Sequence, residues 1–311
     1  AGNLITTATN NTYVGHGAGD ATHVDASSTT AIGSGAFGGT HTGAVCHYNT
    51  AVGTNTLAGA MNGANNNTAI GYLAGNAVTT GDFNNCIGSQ AGVAIVGGGS
   101  NICVGADAGV SIIGASQNVC VGTNAGNTIT SGGANTCIGQ DSDAAATAAN
   151  QIAIGNSAVT DGANKGRWGN SSVGTNNIQT DWTVDSDRRI KDDIKDSDLG
   201  LSFINLLKPR TFIKIHPADY PESILEKRYK SGGVNYDDDK NEIIRDEFEE
   251  KVWNGLIAQE VKESMDSLGV DFSGWGEEKN GKQGVTYSTI VMPLIKAVQE
   301  LSAKLKKHGI T

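Results

Sequence analysis

Side chains able to do chemistry are few in the first part of the chain, and they recur with unusual regularity. Four of the five cysteines, Cys86, Cys103, Cys120 and Cys137, stand 17 residues apart, and alanine takes the same place at Ala69 and Ala153. A column of thiols could close disulfides or hold a metal. A disulfide framework, however, relies on irregular loop spacing, and a metal site on pairs such as Cys-x-x-Cys, a pattern the chain lacks. Exchange with alanine instead reads as buried, reduced thiols that act as small hydrophobes. Cys46 lies outside the column, and Cys46-His47 alone is no ligand set. His16, His23, His41 and His47 gather near the N-terminus, where surface turns account for them. Asp237, Asp238, Asp239 and Asn241 begin like a calcium loop, but that loop requires Gly at its sixth position and Glu at its twelfth; this chain has Glu242 and Phe248. An acidic, solvated turn is the expectation, with no metal and no cofactor. A carboxylate pair for sugar hydrolysis is also missing from residues 1–185, which hold nine scattered Asp and no Glu.

The element that positions the cysteines is a repeat. A small residue, then Ile or Val, then Gly recurs with the Gly at 33, 53, 71, 88, 105, 122, 139 and 155, with looser copies at Gly15 and Gly174. About 17 residues is too short for a helix-pair repeat and suits one coil of a β-solenoid with two short strands and two turns. Ten coils spaced about 4.8 Å apart make a rod of roughly 45 Å. Alternation along a strand assigns the faces. The β-branched residues (Ile32, Val52, Ile70, Ile87, Val104, Val121, Ile138, Ile154) are expected to fill the coil, and the Ala/Cys column to face outward against another backbone. So thin a coil cannot bury enough surface alone, which predicts self-association about an axis, most simply as a homotrimer.

Composition divides the chain at Ser186. Residues 1–185 contain 33 of the 43 glycines, no proline and 11 charged side chains, whereas the last 126 residues contain all four prolines and 43 charges. The net charge of -10 argues against nucleic acid or an anionic membrane as partner, since either needs a basic patch. No apolar run approaches the roughly 18 residues of a membrane-spanning helix, and Ala1-Gly2-Asn3 does not begin a signal peptide; the chain reads as soluble and as part of a longer protein. The expected domains are a mainly β repeat body (1–155), a tip or linker (156–185) and an α+β domain (186–311). In the last, a helix is predicted near Leu199–Leu207, strands at Thr211–Ile215 and around Ile243, then Val252–Val261 running into a helix. Val291, Leu294, Val298, Leu301 and Leu305, at 3, 4, 3, 4 spacing, form a two-heptad coiled-coil seam.

Three motifs carry a family resemblance: Ser-Asp-x-Arg-x-Lys-x-x-Ile at Ser186–Ile194, Gly-Leu-Ile-Ala-Gln-Glu-Val at Gly255–Val261, and Tyr287–Lys304 with its Ala-Val-Gln-Glu-Leu. Residues 186–311 resemble the C-terminal intramolecular chaperone, auto-processing domain of phage tailspikes such as endosialidases, of L-shaped tail fibres and of neck appendages. The Ala-Ile-Gly repeats are similar, on a shorter motif, to the heads of trimeric autotransporter adhesins. The first resemblance implies a domain that trimerises, guides folding of the upstream fibre and then cuts the chain between Asp185 and Ser186 with a Ser186/Lys191 dyad. Lysine serves as a base at neutral pH only when burial or nearby cations disfavour its charge; Arg188 and Arg189 favour that, while Asp187, Asp192 and Asp193 oppose it. A spacing of five puts two side chains on neither one helix face nor one strand face, so a turn must bring Lys191 back to Ser186.

The repeat itself calls for such a helper, because near-identical coils can mispair by a whole rung and keep most contacts. A C-terminal trimeriser aligns the ends; once it is cut away, the stability of the rod is largely kinetic. The implied setting is a virion, with upstream tail proteins and a host-cell receptor, glycan or outer-membrane component, as partners; the chaperone domain is made in the host cytoplasm and absent from the mature fibre. A trimeric cell-surface adhesin and a glycan-depolymerising tailspike are the alternatives. After the cut the distal end holds Lys165, Arg167, Trp168 and Trp182, the only cations and tryptophans of residues 1–185. Aromatic rings beside Asn and Ser suit receptor contact; they suit equally a plug for the open end of the rod.

Overall fold

The computed structural model describes residues 1–2, 8–20, 26–41, 43–173, 177, 185–233, 235–245, 248 and 250–309. Ten three-residue strands form the body: β1 (Thr12–Val14), β2 (Thr30–Ile32), β3 (Thr50–Val52), β4 (Thr68–Ile70), β5 (Asn85–Ile87), β6 (Ile102–Val104), β7 (Val119–Val121), β8 (Thr136–Ile138), β9 (Ile152–Ile154) and β10 (Gly166–Trp168). They stack in chain order into one parallel sheet, in register so that Ala69, Cys86, Cys103, Cys120, Cys137 and Ala153 face one another in turn. The fold is a β-solenoid, with one assigned strand per coil rather than the expected two. Left-handed residues such as Gln90 and Gly92 (φ 56° and 57°) break extension on the other sides. Hydrogen bonds still run from rung to rung there, as from Gly92 N–H to the Ala108 carbonyl (2.9 Å) and Val96 N–H to the Ile113 carbonyl (2.8 Å). Glycine after each strand is dictated by the stack: at Gly71 (φ +131°) a Cβ would sit 2.5 Å from the Gly88 carbonyl oxygen of the next rung. The copy expected at Gly174 lies outside the described residues, and β10 with Gly169 builds the tenth rung instead.

The two faces of the sheet are the reverse of the sequence expectation. Ala31, Ala51, Ala69, Cys86, Cys103, Cys120, Cys137 and Ala153 point into the coil, each at most 1% exposed, whereas Ile32, Ile70, Ile87 and Ile138 point out and are 38–39% exposed. The interior is too narrow for a branched side chain at this position. The chain returns at a glycine directly opposite the thiol, and a Cβ on Gly92 or Gly109 would lie 2.6 Å from Cys86 or Cys103 Sγ. Bulk comes from the opposite side of the coil, where Val78, Ile95, Ile112 and Ile129 form a second 17-residue column, all fully buried. A third buried column is polar: Asn49, Asn67, Asn84, Asn101, Asn118, Asn135 and Gln151. Each Asn Oδ1 accepts the backbone N–H of the next member at 2.9–3.1 Å, and Asn67, Asn84 and Asn101 donate through Nδ2 to turn carbonyls at 2.9 Å. The ladder satisfies groups that burial would otherwise leave unpaired.

All five cysteines are free and buried. The Cys120 thiol beside it, and then burial, push the Cys137 thiol well above its ordinary range; burial raises Cys46 as well. Iodoacetamide at pH 9, where an exposed thiol is largely thiolate, should therefore label none of the five in the folded protein and all five after unfolding in guanidinium; mass spectrometry counts the adducts. The histidines are mixed. His16 is exposed and His23 lies outside the described residues, but His41, expected in a surface turn, is 8% exposed with its ring edge-on to Phe37 at 4.5 Å.

The described residues form two compact units, 1–173 with 227–242, and 174–226 with 243–311. In the second, β11 (Arg210–Ile213) pairs antiparallel with β14 (Val252–Gly255), and the hairpin β15 (Trp275–Glu277) and β16 (Gln283–Val285) was not foreseen from the sequence. Helices α1 (Leu201–Leu206), α2 (Ala258–Leu268) and α3 (Val291–Lys307) complete it. β12 (Tyr236–Asp237) and β13 (Glu242–Ile243) pair as a short ribbon. Phe203, Val261, Met265 and Phe272 make the core. Helix α3 turns Pro293 and Ala297 inward, and Glu300 Oε2 accepts the Leu201 N–H at 2.9 Å. Its seam, Val291, Leu294, Val298, Leu301 and Leu305, stays 40–65% exposed. Among the described residues no helix is long and apolar enough to cross a membrane.

Candidate active site

The second unit begins its motif with a tight turn. Asp187 caps a single 3₁₀ turn at Arg188–Ile190 by accepting the Arg189 N–H at 2.8 Å, and the Lys191 N–H closes it on the Arg188 carbonyl at 3.2 Å. The turn reverses the chain, and Lys191 Nζ donates to Ser186 Oγ at 2.6 Å. A five-residue spacing thus brings a serine hydroxyl and a lysine amine into direct contact. Arg189 clamps the Asp187 carboxylate (Nη2–Oδ2 2.7 Å) and, as its hydrogen-bond partner, holds that carboxyl below the usual range. The Arg189 charge is therefore spent on Asp187. Lys195 pairs with Asp193 at 2.6 Å. Every residue from Asp185 to Asp198 is exposed in the single chain.

Of the tip residues, Trp168 is 53% exposed, Arg167 is half-buried, and Lys165 is paired with Asp161 at 2.7 Å; Trp182 lies outside the described residues. Sequence reasoning missed a different cluster in the first unit, where residues 227–242 pack on the last coils. Lys227 Nζ donates to Asp143 Oδ2 (2.9 Å) and Asn127 Oδ1 (2.6 Å), Arg228 Nη2 to Ser172 Oγ (2.9 Å), and Tyr229 is fully buried. Asp143 is itself 2% exposed. The only signal in the sequence was Lys227-Arg228-Tyr229 ahead of the acidic turn, which reads as a solvated charge run. Among the described residues no three His, Cys, Asp or Glu side chains gather as metal ligands.

A β-solenoid body followed by an α+β domain that opens on this Ser/Lys turn is the make-up of a tailspike or tail fibre with a C-terminal chaperone. Residues 186–270 match a peptidase family described as the chaperone of endosialidase. The match starts at Ser186, the serine of the turn. No curated protein and no solved structure matches the chain.

Proposed function

We propose that the chain is a phage tail-fibre or tailspike segment whose C-terminal domain, residues 186–311, trimerises the chains, folds the body in register and then frees itself by cutting Asp185–Ser186. The 2.6 Å contact between Lys191 Nζ and Ser186 Oγ, at the first residue of the matched domain, is the observation that carries this reading. Neutral Lys191 removes the proton from Ser186 Oγ, which attacks the neighbouring Asp185 carbonyl carbon. The Ser186 nitrogen leaves with the proton held by Lys191, and an ester joins Asp185 to Oγ. Water then hydrolyses the ester, giving the Asp185 carboxylate and a free Ser186 amine. Nucleophile and carbonyl belong to adjacent residues, so the reaction is single-turnover and gains from proximity.

A homotrimer supplies what the single chain lacks. The α3 seam and the outward Ile/Val column of the solenoid are the apolar faces left for neighbouring copies, and packing three chains at the C-terminal end would desolvate Lys191. Assembly then precedes cleavage. The packing of residues 227–242 on the last coils supports a chaperone that holds the end of the body while the register is set. Host recognition falls to the body, with Trp168, Arg167, Lys165 and Trp182 at the tip exposed by the cut and a host-cell glycan or outer-membrane component as receptor.

Chaperoning is tested by refolding. Urea-denatured, uncleaved Ser186→Ala chain should recover its oligomer on dilution, whereas the separated 1–185 body, which has lost the aligning domain, should recover little or aggregate. Equal recovery would remove the chaperone role.

A further inference from the structure

We propose that a ridge on the side of the rod, formed by Tyr48, Asn66 and Phe83, binds a neutral, linear glycan. These residues occupy one turn position, just before the buried Asn ladder, on three successive rungs. All three are left-handed (φ 58°, 59° and 60°). Elsewhere in the column the position holds Asn10, Ser28, Ser100, Gln117, Ala134 and Asn150, again left-handed. Asn tolerates this backbone, and a bulky aromatic residue is disfavoured in it. Phe37, Leu57 and Leu73 adopt it too (φ 51°, 45° and 56°), but Phe37 and Leu57 are buried and Leu73 half-buried, and packing offsets the strain. Tyr48 and Phe83 are 62% and 56% exposed, so burial does not offset the strain of rings standing where Asn fits better. Strain held at an exposed position points to an external contact.

The geometry identifies the occupant. Strands β3, β4 and β5 pair in register, which puts Tyr48 and Phe83 two rungs apart, about 9.6 Å, with the Asn66 amide between them. That interval is close to the length of two pyranose units in an extended chain. Each ring can take the C–H face of a sugar, and the intervening amide can pair with hydroxyls. The His47 ring lies 5.8 Å from that of Tyr48 and is pinned by the Ser27 N–H on its Nδ1 at 3.1 Å. Charge narrows the choice: Asp82 adjoins Phe83 and no Lys or Arg precedes Lys165, so a polyanion would be repelled. The inference does not depend on self-cleavage.

Calorimetry on the full chain tests it, with cellotetraose and chitotetraose as neutral probes and tetragalacturonate as the anionic one. Tyr48→Asn and Phe83→Asn restore the residue the turn prefers. Each should weaken binding at least about tenfold while the melting temperature stays level or rises, and Tyr72→Ala, an exposed ring at another turn position (53%), should leave binding intact. No binding of either neutral probe by the unaltered chain, a preference for tetragalacturonate, or unchanged affinity in both Asn variants overturns the proposal. So do variants that dissociate the oligomer, which would make the ridge a contact between copies, and loss of binding in Tyr72→Ala alone, which would move the sugar off the ridge.

Discussion

A chain carrying Ser186→Ala should be recovered as one 311-residue polypeptide, because the proposed mechanism then lacks the hydroxyl that attacks the Asp185 carbonyl. Lys191→Ala should look almost the same: losing a positioned general base slows such a step by about 10²–10⁴-fold. Lys191→Arg separates base from charge. It keeps a cation beside Ser186, but guanidinium does not give up its proton near neutrality, so the chain should stay whole. Denaturing electrophoresis reads all three. Cleavage of the Ser186→Ala chain at the same bond would remove the dyad, and full cleavage of Lys191→Arg would leave lysine as a structural charge.

Ile87→Asp should prevent the released bodies from holding together as a trimer without unfolding the coil. Ile87 points outward from β5 and is 39% exposed in the single chain, so the carboxylate stays solvated in a monomer. In a C3 assembly it would be buried in three copies, at several kcal/mol for each desolvated charge. Sedimentation of the cleaved body should report monomer and circular dichroism a retained coil, while the uncleaved chain can still associate through the proposed α3 seam. Cys103→Trp does the opposite kind of damage. The thiol is fully buried and faces Gly109 across the coil, so overpacking of more than the usual ~1–3 kcal/mol unfolds the rung itself. A stable trimer of the cleaved Ile87→Asp body would place the interchain contact on another face.

The rung positions were readable in advance because a stacked β-coil leaves a periodic trace. The Gly after each strand must avoid the next rung's carbonyl, so it recurs at every coil. The direction of the faces was not readable. Alternation says only that Cys86 and Ile87 point opposite ways; which is inside depends on coil width, set by Gly92 returning against the Cys86 thiol. The deciding signal lay in a column that was overlooked, Val78, Ile95, Ile112 and Ile129, already bulky enough to fill the coil. The Asn ladder from Asn49 to Gln151 recurs as regularly, but a polar residue beside a turn reads as surface until its backbone partner on the next rung is known. At the site, spacing demanded a turn between Ser186 and Lys191, and Asp187 as the cap of Arg188–Ile190 supplies it. The docking of Lys227 on Asp143 joins residues 84 positions apart and left no local pattern.

Intact-mass spectrometry of the freshly expressed, unaltered chain tests the central claim most directly. The account predicts two species, one ending at Asp185 and one beginning with the free amine of Ser186, 185 and 126 residues long. A single 311-residue mass that persists after the oligomer has formed, or a cut at any other bond, would contradict it.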